Sequence, residues 1–161
     1  MLPMTTLRAW QYIQMDNALA SLVSLAQGYS THALTHYRDN GTGWTVTEVL
    51  CHLRDFEYIF WKRVRLMVEE DHPHLPFPDP DALARENDYS AQDAYDVLND
   101  LRAYRQDFIA YLKGLDDGAW QRAGIHPTRG DFTCQDQLFL TTHHDMMHLE
   151  QITRILAEQK G

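Results

Sequence analysis

His144 and His148 stand four residues apart in the run Thr141-Thr142-His143-His144-Asp145-Met146-Met147-His148-Leu149-Glu150-Gln151-Ile152. On a helix that spacing stacks two imidazoles one turn apart on one face, where both rings can reach a single metal ion. The face is otherwise one meant for a core. Continued at helical spacing from His148 it reads Leu138, Thr141, Asp145, Leu149, Ile152, Ile155 and Leu156. Thr141, His144, Asp145 and His148 therefore interrupt an apolar stripe within two turns. Burying so many polar groups without partners costs roughly a few kcal/mol each, so they serve either a site or a closed hydrogen-bond network.

Spacing alone does not single this pair out. Nine histidines in 161 residues produce about half such a pair by chance, and His32 and His36 make a second one. That second pair sits in the polar stretch Tyr29 to Asp39, with no long apolar stripe around it, and predicts a solvated short helix. His143 points away from the stripe, toward the surface or an interhelical contact. His72, His74 and His126 fall in loops, where solvation or a place at the rim of a site is expected. For His144 and His148 the bland alternative is a pair of core histidines hydrogen-bonded to carboxylates such as Asp145.

Four long helices must position these residues. The first runs from about Thr6 to Gln27 and stops at Gly28. Asp39-Asn40-Gly41-Thr42-Gly43 is a turn. Thr45-Val46-Thr47-Glu48 is a capping box, with Trp44 and Val49 placed for a hydrophobic staple, and opens a second helix to about Glu70. Its apolar face is Val46, Val49, Leu50, Leu53, Phe56, Phe60, Val64 and Met67, and His52 lies at the edge of it, turned toward a neighbouring helix. Pro73, Pro76, Pro78 and Pro80 then enforce an extended connection, with Asp81 to Asn87 able to be helical again. Ser90-Ala91-Gln92-Asp93 reads as the opening of the third helix, whose face is Ala94, Tyr95, Leu98, Leu101, Phe108, Tyr111, Leu112 and Leu115, ending near Gly114 or Gly118. Trp120 to Asp131 is a short hairpin or a loop. Thr133-Cys134-Gln135-Asp136 opens the last helix, which carries the histidines to about Gln159. No strand-like alternation of any length competes, so the expected fold is all-α: a four-helix bundle with one long crossover between helices 2 and 3, in a single domain over 1–161.

A net charge of −9, with no cluster of lysine and arginine, argues against a nucleic-acid surface, since phosphate binding needs concentrated positive charge. Cys51 and Cys134 are far apart and lack metal-knuckle spacing, which suits a reducing, cytoplasmic location. Cys51 points about 100° away from His52 around the helix and reads as a small core residue, and Cys134 sits in a first helical turn with no adjacent histidine. No apolar run resembles a secretion signal or a membrane span.

With His52 in Val49-Leu50-Cys51-His52-Leu53-Arg54-Asp55-Phe56-Glu57, and with the close His144-Asp145-Met146-Met147-His148-Leu149-Glu150-Gln151-Ile152, the chain resembles the DinB-like (YfiT-like, damage-inducible) superfamily of metal-binding four-helix bundles. Matching elements are the Trp44-Thr45 helix entry with a histidine eight residues after the tryptophan, the ninety-odd residue gap, and that close; together they reach from about Ala9 to Leu156. The resemblance implies an open three-histidine site, His52 from the second helix and His144 and His148 from the fourth, holding a divalent ion such as zinc or nickel, with iron a further candidate. It also implies kinship with transferases and isomerases that use a low-molecular-weight thiol, and a homodimer. Three neutral imidazoles leave positions open to water or substrate, the catalytic pattern. Asp55, one turn beyond His52, and Asp145, beside His148, are candidates for orienting an imidazole or acting as a general base, and Gln151 could orient His148. The expected function is a metal-dependent enzyme that activates a thiol or water against a small electrophilic substrate. The alternative is a non-catalytic, stress-related binding protein with a structural metal.

Overall fold

The structure, a computed structural model, describes residues 1–158. The elements run α1 (Met4–Gln27), α2 (Thr31–His36), α3 (Val46–Glu69), α4 (Pro80–Glu86), α5 (Ala94–Lys113), α6 (Asp117–Trp120), β1 (Ala123–His126), β2 (Gly130–Thr133) and α7 (Cys134–Glu158), with single 3-10 turns at Asp39–Gly41 and Tyr89–Ala91. Gln159, the expected end of the last helix, lies outside the described residues.

Of the three helix openings read as Ser/Thr-x-x-Glu/Asp, at Thr45, Ser90 and Thr133, two form capping boxes. Thr45 Oγ1 accepts from the Glu48 N–H at 3.2 Å while Glu48 Oε2 accepts from the Thr45 N–H at 2.7 Å. Thr133 and Asp136 exchange the same pair of bonds at the start of α7, aspartate doing the work of glutamate. The third does not form. Ser90 lies in a 3-10 turn with its hydroxyl on Asp88, and Asp93 caps α5 instead, accepting from the N–H groups of Tyr95 and Asp96. Serine and aspartate are comparable N-caps, so the later residue could take the position. Tyr95 consequently stands half exposed, its hydroxyl donating to the Ala26 carbonyl, and Val97 occupies the core face in its place. At the other end of the chain, α1 begins at Met4, directly after Pro3, two residues earlier than the sequence suggests.

The long helices are α1, α3, α5 and α7. α3 packs on α5 and α7, and α1 packs on the same two from the opposite corner. Arg8 of α1 meets Gln135 of α7 near both N-termini, so these helices are parallel. α3 and α5 are also parallel, because the crossover through α4 returns the chain to the start of α3, where the Tyr89 hydroxyl reaches Asp55. α7 runs antiparallel to α3: His52 of α3 meets His144, and Arg63 meets Gln137. The expected α3 face is buried throughout, and burial continues round the helix to Cys51, His52, Glu57 and Arg63. His52 is thus more deeply placed than an edge position.

The hairpin is the outcome the sequence left open. β1 and β2 pair antiparallel, and the crossover is fastened to β1 by bonds between Ile125 and the backbone of Pro73 and Leu75, at 2.8 and 3.0 Å. This fastening explains Gly124. A Cβ there would stand 2.7 Å from both the Pro73 carbonyl oxygen and Leu75 Cδ2. Since the carbonyl belongs to the fastened strand, Gly124→Ala is expected to cost about 1–3 kcal/mol by overpacking, read as a lower urea midpoint at unchanged slope. An unchanged midpoint would show that the crossover is free to move.

Candidate metal centre

His52 comes from α3 and His144 and His148 from α7, and their ligating nitrogens all lie within 4.8 Å of one another. His52 Nε2 is 2.9 Å from His144 Nε2, which is 3.2 Å from His148 Nε2. An ion held about 2.0–2.1 Å from each nitrogen, with tetrahedral to octahedral angles, needs nitrogens about 2.9–3.4 Å apart. Both of these separations meet the spacing of one face of a coordination shell, and the third pair closes within 4.8 Å.

Their protonation suits this too. Burial, then the charge of His148, pulls His52 down to about 3. His144 is held well below the ordinary imidazole range by burial, then by His148, His52, Arg105 and Arg63. His148 is lowered by burial against an opposing hydrogen bond from Gln151. All three rings are neutral at physiological pH, the form that ligates. A single Nε2 proton on His144 cannot satisfy two facing nitrogens, whereas a cation satisfies all three.

The tautomer of His148 is fixed from outside. Arg154 grips both Asp39 oxygens at 3.1 Å, Asp39 Oδ2 accepts from Gln151 Nε2 at 2.9 Å, and Gln151 Oε1 lies 2.8 Å from His148 Nδ1. With its amide nitrogen committed to Asp39, Gln151 presents an acceptor, so His148 carries its proton on Nδ1 and aims the Nε2 lone pair at the centre. Asp39 owes its place to the turn predicted at 39–43: the Gly43 N–H closes on the Asp39 carbonyl at 2.8 Å, and a Cβ on Gly43 would stand 2.9 Å from that oxygen.

The two aspartates singled out by sequence lie elsewhere. Asp55 accepts from Arg54, Asn87 and the Tyr89 hydroxyl and makes no hydrogen bond to an imidazole. Asp145 points from α7 into the bundle, where Arg105 binds it together with Glu57; burial, opposed by Arg105, raises its pKa. Both thiols are buried and pushed up by that burial, Cys51 to about 12 and Cys134 to about 11, so neither is a ready nucleophile. The short helix forms with His32 and His36 exposed and stacked on each other at 4.2 Å, but it is not solvated all round: its Ala33 and Leu34 are buried in the core. His126 is the exception among the loop histidines: it ends β1 fully buried between Phe77 and Phe132.

An aromatic wall lines one side of the centre. Trp44 lies 5.1 Å from the His52 ring, Phe56 contacts both His52 and His144, and Phe60 is 5.1 Å from His144. Beside His148 a groove of 520 Å³ opens to solvent, with Met147 and Gln151 in its wall. Among the described residues no fourth His, Cys, Asp or Glu joins the three histidines.

Comparison with known proteins identifies relatives of this chain and of its fold. The family model described as the DinB superfamily matches residues 14–152. The chain is 30% identical over 122 residues to the "Putative metal-dependent hydrolase YfiT" of Bacillus subtilis (strain 168), covering 75% of this chain and 67% of that protein. It is 26% identical over 121 residues, 75% of this chain and 69% of the relative, to another "Putative metal-dependent hydrolase", from Oceanobacillus iheyensis. The solved structure of B. subtilis YfiT, described as having an unusual four-helix bundle topology, superposes with a TM-score of 0.85 at 26% identity, covering 94% of this chain and 86% of that one. A mycothiol-dependent maleylpyruvate isomerase shares the fold, with a TM-score of 0.72 at 13% identity over 97% of this chain and 68% of its own.

Proposed function

The chain belongs to the DinB superfamily, and on that premise we propose that His52, His144 and His148 hold a divalent ion, zinc or nickel before iron, in an enzyme acting on a small electrophilic molecule. The observation that carries this reading is the convergence of three neutral Nε2 atoms with no fourth protein ligand among the described residues. Such an ion is a Lewis acid that makes water or a low-molecular-weight thiol nucleophilic at neutral pH. The residues supply the rest. The Trp44, Phe56 and Phe60 wall excludes water, which strengthens every electrostatic interaction at the centre. Gln151, held by Asp39 and Arg154, keeps His148 in the ligating tautomer.

Hydrolysis and thiol transfer both fit this chemistry, and the names of the relatives support each in turn. Metal-loaded protein is to be assayed against hydrolysable esters and amides and against thiol-plus-electrophile pairs. Turnover in either class supports the reading, and none in both, with the metal bound, overturns it. We place the activity in the cytoplasm, on a small molecule and not on nucleic acid, in one domain spanning 1–161. A homodimer is proposed through the exposed apolar face formed by Met4, Trp10 and Phe139 on α1 and α7; sedimentation at micromolar concentration checks it. No described helix is long and apolar enough to cross a membrane.

Gln151 gives the reading a sharper test. Gln151→Leu keeps the side chain's bulk but removes the acceptor for His148 Nδ1–H, and is expected to weaken zinc binding about 10–100-fold. Competition with a chromophoric chelator measures this. Unchanged affinity would mean that Gln151 serves only to dock the 39–43 turn.

A further inference from the structure

Arg63 brings a full positive charge into the interior with no carboxylate among the described residues to neutralise it. It lies on α3 eleven residues after His52 and is 1% exposed. Its Nε donates to the Pro76 carbonyl at 2.8 Å and its Nη1 reaches Gln137 Oε1 at 3.4 Å, both neutral partners. Nη2 is buried without a partner, and no carboxylate among the described residues pairs with the group. The other fully buried arginine of the bundle, Arg105, is met by two carboxylates, Glu57 and Asp145. Burial, then the like charge of Arg129, lowers Arg63 to about 10, still a cation at neutral pH.

Gln137 repeats the pattern from α7. Its Oε1 faces Arg63, which leaves Nε2 as its outward donor, and that atom too is buried and unpartnered. Both unmet groups are thus donors, beside an uncompensated charge. Water could fill them but would leave the charge unbalanced, whereas an acceptor-only anion with two oxygens matches number, polarity and sign.

Resting on the three-histidine reading, we infer that Arg63 and Gln137 form a subsite for a carboxylate on the molecule that reacts at His52, His144 and His148. Seven residues of α7 separate Gln137 from His144, about 10 Å at 1.5 Å rise per residue. One ring bridges the two places: Phe60 lies 5.3 Å from Arg63 Cζ and 5.1 Å from the His144 ring. The ligand is therefore a short acid whose reacting atom stands a few bonds from its carboxylate. Its cover is thin. Phe77, half exposed on the proline-rich crossover, lies 5.8 Å from the guanidinium and packs on His126 of β1. His126 adds no charge, since burial, then Arg63 and Arg129, hold it down to about 4.

Two titrations test this. In the metal-free protein, butyrate is expected to shift the Arg63 Nε–Hε resonance saturably, while 1-butanol and chloride at equal concentration leave it unmoved. In zinc-loaded protein, 4-mercaptobutyrate is expected to bind about tenfold or more tightly than uncharged 4-mercapto-1-butanol. Arg63→Met is expected to erase that preference while leaving the alcohol's affinity as it was. A preference that requires zinc puts the carboxylate on the thiol; butyrate binding indifferent to zinc puts it on the other reactant. No saturable shift together with equal affinities overturns the subsite, as does a preference that survives in Arg63→Met. Should Arg63→Met not fold, the two wild-type titrations decide alone. Failure of zinc to bind, with butyrate still shifting Arg63, would sink the metal reading and leave the carboxylate site standing.

Discussion

Arg105→Ala is expected to destabilise the protein by about 3–5 kcal/mol, a large share of the roughly 5–15 kcal/mol that holds a domain together. The guanidinium joins all four long helices. It belongs to α5, binds Glu57 of α3 through Nε and Nη2 at 2.6 and 2.9 Å, reaches Asp145 of α7 at 2.9 Å, and donates to the Met15 carbonyl of α1 at 2.6 Å. All three charged side chains are at most 2% exposed. Removing the arginine leaves two carboxylates desolvated beside each other, and the loss comes from that repulsion and burial more than from the bonds themselves. The sign of the companion variant follows. Arg105→Met with Glu57→Leu and Asp145→Leu removes all three charges of this cluster at once and is expected to recover most of the stability, because an apolar cluster of similar volume needs no compensation. Urea denaturation of both variants decides: a single variant within about 1 kcal/mol of wild type would mean that water reaches the cluster.

That cluster also shows what the sequence made legible. Helix content, the long crossover and the facing of His144 and His148 follow from local signals, namely capping boxes, prolines and apolar spacing. His52 joins them only through the family resemblance, because one histidine ninety-two residues away carries no spacing with which to be paired. Arg105, Glu57 and Arg63 did leave a signal: each is a charge on an otherwise apolar helical face, Arg105 between Leu101 and Phe108, Arg63 between Phe60 and Met67. Partners are what no periodicity gives. Asp145 sits one residue from a ligand yet turns to Arg105, and Asp55, one turn beyond His52, turns to Arg54 and Tyr89. A residue three positions from His148, Gln151, was within reach of sequence reasoning because i, i+3 neighbours touch. Asp39, which orients it, lies 112 residues away and required the fold. His126 was misplaced for the same kind of reason: its burial depends on Phe77 and Phe132, brought together by a crossover and a hairpin with no regular pattern.

The second large effect concerns the histidines themselves. Protein purified without a histidine tag is expected to carry about one divalent ion per chain, and the His144→Ala/His148→Ala variant none. His144 Nε2 is the nitrogen that faces both others, so its loss alone should lower affinity by more than the 10–100-fold typical of an outer partner. Elemental analysis beside chelator competition reads both quantities. What the metal is for is then decided by stability. In metal-free wild type three desolvated imidazoles face one another, and His52 Nδ1 is buried without a partner. Replacing two of them with alanine removes crowded polar groups at the cost of a small cavity, so the metal-free variant should melt within a few degrees of metal-free wild type. α3 and α7 are already joined by Arg105 through Glu57 and Asp145, so the bundle does not need an ion as a clamp. An ion that exchanges with chelator while the fold persists is therefore the expected result, and fits a centre kept open for reaction. Collapse of the wild type on chelation would instead make the metal a structural cross-link and favour the reading of a stress-related binding protein. No metal in either protein, even after reconstitution, would leave three core histidines without the function that their converging lone pairs suggest.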